Sequence, residues 1–155
     1  VEVWDRATLE EQENSIGRRK YSGAPFGRTG EKDQVDPKLL PIASHVRLAN
    51  PRTGQASEDE RILRRGYNYV DGLAPITGPI PDDAGKPQTG TFDAGLMFIA
   101  FQRDPRKQFV PMQTRLDAND ALNEYCVHTG SGVYAILPGV RDSSDWWGRT
   151  LLERR

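Results

Sequence analysis

A few side chains in this sequence stand where they could do chemistry. His45 is one of only two histidines, and its segment also carries Arg47 and Asn50. A lone neutral imidazole suits haem iron, whose axial side needs a single protein donor. It equally suits a partly buried residue with satisfied hydrogen bonds, and spacing leaves both open. Arg64 and Arg65 are adjacent in a segment of strand character, so they must point to opposite faces. A sheet with one covered face would hold one of them inside, against an anion or an unusual ligand. Asp120 and Glu124 lie four apart, on one face of an expected helix. Such carboxylates can move protons, stay solvated, or orient a ligating imidazole through its second nitrogen. Tyr67, Tyr69, Trp146 and Trp147 are oxidisable, and are also ordinary core or interface residues. The basic run Arg18-Arg19-Lys20 can meet a carboxylate or phosphate, or remain a solvated surface.

Composition narrows the classes. The 155 residues carry 21 basic and 22 acidic groups, so no strong basic footprint points to nucleic acid. No apolar run approaches the ~20 residues of a membrane span. The single Cys126 excludes an internal disulfide framework and a Cys-based zinc cluster. Gly130-Ser131-Gly132 lacks the Lys and the spacing of a phosphate loop, and no Gly-x-Ser-x-Gly elbow occurs. The chain opens Val-Glu-Val-Trp with neither a start methionine nor a secretory leader, which reads as a processed chain or a fragment. With 15 Gly and 11 Pro and only 36% hydrophobic residues, one loop-rich domain with a modest core is expected.

The elements that must position these groups follow from local pattern. Residues 1–17 suggest an opening strand and then a helix, with Thr8 and Glu11 as a capping box and Gly17 as the stop. Residues 18–41 read as loop and 42–50 as a short helix ended before Pro51. Strands are expected at 61–70 and 95–102, around a Gly- and Pro-rich loop at 71–90. Asp104-Pro105 opens a helix on which Phe109, Met112 and Leu116 recur, although Pro111 argues for a break or kink. A helix over 120–128 with Leu122 on one side, a strand at 133–137 and an amphipathic helix around Trp146 to Leu152 complete the order. The sum is an α+β domain with an antiparallel sheet.

Taken together, the motifs are far more specific. Ser44-His45-Val46-Arg47-Leu48-Ala49-Asn50-Pro51 precedes Arg61-Ile62-Leu63-Arg64-Arg65-Gly66-Tyr67. Asp93-Ala94-Gly95-Leu96-Met97-Phe98-Ile99-Ala100-Phe101-Gln102-Arg103-Asp104-Pro105 follows. Asn119-Asp120-Ala121-Leu122-Asn123-Glu124-Tyr125 then leads into His128-Thr129-Gly130-Ser131. This order resembles the C-terminal part of the dye-decolorising peroxidases, nearest the exported subfamily that includes the iron-releasing deferrochelatase type. The opening Val3-Trp4-Asp5-Arg6, with Glu11-Gln12-Glu13 and Gly17-Arg18-Arg19-Lys20, resembles it too.

The resemblance implies a fold of two ferredoxin-like α+β halves around haem b, with residues 1–155 as the C-terminal haem-binding lobe. It implies His45 as the proximal iron ligand and Arg64 as the distal arginine, with Arg65 the alternative if the register shifts by one. Leu96 and Phe98 match residues walling the distal pocket. Glu124 matches the acid on the proximal imidazole, with Asp120 second. Arg19, Arg47, Arg65, Met112 and Leu122 join the implied haem-binding set. The family's Gly-x-x-Asp-Gly motif, with its distal aspartate, has no counterpart here; Tyr69-Val70-Asp71-Gly72 lacks the leading Gly. The implied activity is oxidation of organic donors such as dyes by hydrogen peroxide, in one-electron steps. Iron release from haem, or a non-catalytic assembly half, are the alternatives. The implied partner is an N-terminal fragment of the same protein, and a homo-oligomer is compatible. A bacterial, exported protein in the periplasm or outside the cell is implied, without nucleic acid or a membrane span.

Overall fold

Helix signals near the start of the chain act as read, but helix begins earlier than expected. In the computed structural model, which describes residues 2–73 and 92–153, Glu2–Arg6 form a helix (α1) rather than a strand. Leu9–Ile16 form α2. Thr8 caps α2, its hydroxyl accepting from the Glu11 N–H at 3.2 Å. The Glu11 carboxylate does not return the bond; it turns away to the Tyr125 hydroxyl, so half of a capping box forms. Gly17 ends α2 at φ +89°, its N–H donating to the Glu13 carbonyl. A β-carbon there would lie 3.0 Å from the Ser44 hydroxyl, so glycine serves both the left-handed turn and the close approach of the segment leading to His45.

The chain divides into Val1–Tyr125 and Cys126–Arg155. In the first unit α2 is followed by a loop with one 3-10 turn, Pro37–Leu39, and then by α3 (His45–Ala49) and α4 (Gln55–Asp59). An antiparallel ribbon of β1 (Leu63–Leu73) and β2 (Phe92–Phe101) comes next, then α5 (Phe109–Asn119) and a 3-10 turn, Ala121–Glu124. Pro111 sits in the first turn of α5, where no intrahelical partner exists for its missing N–H, so it neither breaks nor kinks the helix. The α+β class with an antiparallel sheet is as expected.

The core is small. Ala24, Leu40, Met112 and Leu116 are its buried hydrophobics, and Met112 and Leu116 lie on one side of α5, which packs on α3. Among the described residues the buried polar ones outnumber these: Gln12, Glu13, Ser15, Ser44, Ser57 and Asp120. Each of these except Ser15 is tied by a side-chain hydrogen bond.

Four further expectations are corrected. The helix expected over 120–128 is only the 3-10 turn, because Asp120 caps it and Tyr125 closes it. In the second unit, residues 133–137 form no strand, and the terminal helix is limited to Arg149–Leu152 (α6). Among the described residues nothing packs over this part of either face of the ribbon closely enough to bury it, so Arg64 and Arg65 are both exposed rather than one being buried. Of the expected loop at 71–90, residues 71–73 belong to β1; the rest lies outside the described residues.

Candidate functional site

The site begins with the end of α5. The Asp120 N–H donates to the Leu116 carbonyl at 2.9 Å, so the helix end fixes its backbone. Its carboxylate then uses both oxygens. Oδ1 accepts from the Leu122 N–H at 2.9 Å, capping the 3-10 turn. Oδ2 meets His45 Nδ1 at 2.6 Å. The carboxylate accepts, so Nδ1–H donates, and in the neutral ring the lone pair is then on Nε2. Among the described residues Nε2 makes no hydrogen bond. His45 is the first residue of α3, and Ser44 before it is fully buried, its hydroxyl donating to the Pro41 carbonyl at 2.8 Å. The Ala121 N–H donates to the Ala43 carbonyl, joining the loop before α3 to the turn after α5. The Asp120 side chain is 3% exposed and the imidazole 33%, so the pair has a buried anchor and an open tip.

The order of the two acids is thereby reversed. The resemblance puts Glu124 ahead of Asp120 behind the imidazole; in the structure Asp120 makes the contact and Glu124 is exposed. The signal lies in Asp120-Ala121-Leu122, an aspartate two residues before the N–H it caps. A second tie has no local signal at all. Arg115 donates to the Leu48 carbonyl at 3.2 Å and to Glu60 at 2.6 Å, locking α5 to the far end of α3.

The ribbon sorts the two arginines. Arg64 pairs with Ala100, Gly66 with Phe98 and Asn68 with Leu96. Directly opposed residues share a face, so Arg64, Leu96 and Phe98 lie on one side of the ribbon. Arg65, paired with Ile99, lies on the other side with Tyr67 and Tyr69. Gly66 leaves space that Leu96 uses; a β-carbon there would sit 3.2 Å from its Cδ1. Phe98 approaches Phe109 at the start of α5, ring centroids 6.4 Å apart, which turns the Arg64 face toward that helix.

The basic run is internally committed. Arg18 donates to the Gly23 and Glu31 carbonyls, and Lys20 to Gln12. Arg19 Nη1 pairs with Glu13 at 2.6 Å and the guanidinium lies over the Phe26 ring, while the side chain stays about half exposed. The Lys20 N–H and then Arg19 hold the Glu13 carboxyl below its usual range. Arg47 donates to the Leu40 carbonyl. Arg52, at φ +59°, donates to the Val46 and Asn50 carbonyls; burial and then nearby Arg18 lower its pKa. Met112 is buried in the core of the first unit, and Leu122 is half-buried on the 3-10 turn beside Asp120. In the second unit Trp146 and Trp147 are exposed or half-exposed.

The donor set defines what could bind. Among the described residues no cluster of three or more His, Cys, Asp or Glu could hold a metal ion. One oriented imidazole with a free nitrogen fits an iron that brings its own four equatorial nitrogens, as haem does. No helix among the described residues is long and apolar enough to cross a membrane.

Known proteins share this chain's sequence and geometry. Residues 1–141 match the family described as Dyp-type peroxidase, C-terminal. A deferrochelatase of Shigella flexneri serotype 5b is 41% identical over 159 residues, covering 99% of this chain and 34% of that protein. A deferrochelatase of Escherichia coli strain K12 is 40% identical over 158 residues, covering 98% of this chain and 34% of that protein. The chain thus spans about a third of the length of the curated relatives it matches. A crystal structure of a DyP-type peroxidase from Cellulomonas bogoriensis superposes with a TM-score of 0.62 at 34% identity, over 79% of this chain and 32% of that one.

Proposed function

Because this chain belongs to the Dyp-type peroxidase family, as its C-terminal part, we propose that it supplies the haem-binding half of a peroxide-dependent oxidoreductase. The observation that carries this reading is the 2.6 Å pair of His45 and Asp120, a single imidazole oriented by a buried carboxylate. His45 Nε2 would hold the haem iron. Asp120 holds the ring's orientation and tautomer and adds anionic character to it. Haem b, when bound, supplies the redox chemistry that takes up oxidising equivalents from hydrogen peroxide. Arg64 would face bound peroxide and stabilise negative charge on its departing oxygen. Leu96 and Phe98, on the same face, would line that side with apolar groups once it is covered. Organic donors such as dyes are too large to enter and give up electrons at the surface.

The ribbon supports a partner. Leu63 and Met97 on one face of the ribbon, and Val70 and Leu96 on the other, are each more than half exposed, apolar side chains of the kind a partner covers. The N-terminal part of the same fold covers them and supplies the distal aspartate that this chain lacks. The relatives' bacterial origin and the family resemblance support an exported, periplasmic protein.

The relatives' name supports a second reading, in which iron is released from haem and the porphyrin is left intact. One experiment separates the readings: haem is incubated with this chain joined to the N-terminal part of the fold, with and without peroxide and a dye. Intact haem and peroxide-dependent dye oxidation are expected. Free protoporphyrin with no dye oxidation favours iron release. No haem absorbance in either the chain or the pair contradicts both.

A further inference from the structure

The helix that carries His45 is held at its far end by a residue that neither reading above uses. α3 spans five residues, little more than one turn, and so short a helix does not hold itself in water. Pro51 ends it, and Asn50 before the proline is extended at φ −147° and ψ 94°. The last carbonyls of α3 are left without intrahelical donors. Arg52 supplies donors. Its Nη1 donates to the Val46 carbonyl at 3.2 Å and to the Asn50 carbonyl at 2.6 Å. Its backbone N–H donates to Asn50 Oδ1 at 3.2 Å, closing the turn around Pro51. Arg115 takes the Leu48 carbonyl between them.

Two features show that Arg52 is held under constraint. Among the described residues it is the only non-glycine at positive φ, +59°. An L-residue keeps that left-handed backbone where its surroundings over-determine it. Its guanidinium is half-buried beside Arg18, and no carboxylate pairs with it among the described residues. Carbonyl oxygens are then the acceptors that its N–H groups must find. The consequence falls on His45. Asp120 is fixed by the end of α5 and by the Leu122 N–H, neither of which belongs to α3. A 2.6 Å contact between Asp120 and His45 therefore needs α3 to be fixed separately. Arg115, from α5, sets the spacing of the two helices. Arg52 sets the winding of α3 itself, because it bridges the second residue of the helix and the residue after its last.

Resting on the peroxidase reading, we propose that Arg52 is a positioning residue for His45: it clamps the one-turn helix so that the imidazole meets Asp120 and presents Nε2 in a single orientation. The left-handed backbone at Arg52 turns the chain back, and the guanidinium folds onto the helix end instead of into solvent. Arg52 makes no contact with the imidazole and acts through the backbone of α3. Two substitutions separate the clamp from the backbone strain. Arg52→Gly accepts the same φ without strain and removes the guanidinium, so it deletes the clamp and spares the turn. Arg52→Lys retains a charge and donors on a shorter side chain.

The test has two arms, each comparing wild type with both variants in the chain joined to the N-terminal part of the fold. In the first, without haem, proton NMR follows the His45 Nδ1–H signal, and amide exchange follows the Leu48 N–H, which donates to the Ser44 carbonyl. Arg52→Gly is expected to broaden or lose the imidazole signal and to speed Leu48 exchange by about tenfold or more, the effect of losing hydrogen bonds from a charged donor. Circular dichroism should stay as in wild type, and Arg52→Lys should recover part of both signals. In the second, with haem bound, resonance Raman reads the iron–histidine vibration and absorbance titration reads affinity. Arg52→Gly should bind about 10–100-fold more weakly, the usual cost of losing support for a metal ligand, with the vibration broadened and at lower frequency. An unchanged Nδ1–H signal and Leu48 exchange in Arg52→Gly, or an unchanged iron–histidine band, would overturn the clamp. So would an Arg52→Lys variant no closer to wild type than Arg52→Gly. Failure of wild type to bind haem defeats the peroxidase reading instead, and the first arm then decides the Arg52 clamp by itself.

Discussion

Replacing His45 with alanine is expected to abolish stable haem binding while leaving the fold in place. Among the described residues the imidazole is the one oriented donor with a free nitrogen, and the ring tip is open to solvent. Loss of residues that merely support a metal ligand typically costs 10–100-fold in affinity, so loss of the ligand itself should cost more than about a hundredfold. The substitution removes a partner from buried Asp120, but Asp120 keeps the Leu122 N–H on Oδ1, so the 3-10 turn after α5 stays capped. Absorbance titration with haem, alongside circular dichroism, reads both effects. A variant that folds and binds haem as tightly as wild type, with the same spectrum, would remove His45 from the site.

The second large effect is expected at Arg64, and the ribbon's register makes it a paired experiment. Arg64 shares its face with Leu96 and Phe98, while Arg65 faces the other way with Tyr67 and Tyr69. Arg64→Ala should bind haem normally and react with peroxide about 10²–10³-fold more slowly, the cost of losing one donor aimed at developing charge. Arg65→Ala should react at close to the wild-type rate. Both side chains are exposed, and exposed substitutions usually change stability by less than about 0.5 kcal/mol, so a rate loss cannot be laid to unfolding. Stopped-flow mixing with peroxide measures it. The reverse pattern would move the distal role to Arg65, and no change in either would remove both arginines from the peroxide step.

Much of this is legible in the sequence, for physical reasons. β-Branched and aromatic runs mark β1 and β2, the Thr8 and Gly17 signals bound α2, and Met112 and Leu116 mark the core side of α5. The motif order carries the family. What is not legible depends on which of two local geometries wins. An α-helix through 120–128 would set Asp120 and Glu124 on one face; the capped 3-10 turn brings Asp120 inward and leaves Glu124 in solvent. The basic run looks available to a ligand because its partners, Glu13, Gln12 and the Gly23 and Glu31 carbonyls, meet it only after the loop folds back. Burial of one arginine assumes a covered sheet, and two strands alone cannot cover themselves. The bond between Glu11 and Tyr125 spans 114 residues, beyond any local pattern.

If His45 binds iron and Asp120 tunes it from behind, the reduction potential of the haem-loaded protein must depend on Asp120. Spectroelectrochemistry on wild type and Asp120→Asn measures that dependence. Asparagine has one acceptor oxygen where Asp120 uses two, and it carries no charge, so it cannot both cap the turn and lend the imidazole anionic character. A ten- to hundredfold loss of preference for the oxidised form corresponds to about 60–120 mV, so the potential should rise by that amount while haem stays bound. A potential equal to that of wild type, with haem still bound, would contradict the pairing of His45 and Asp120 as the iron's proximal side.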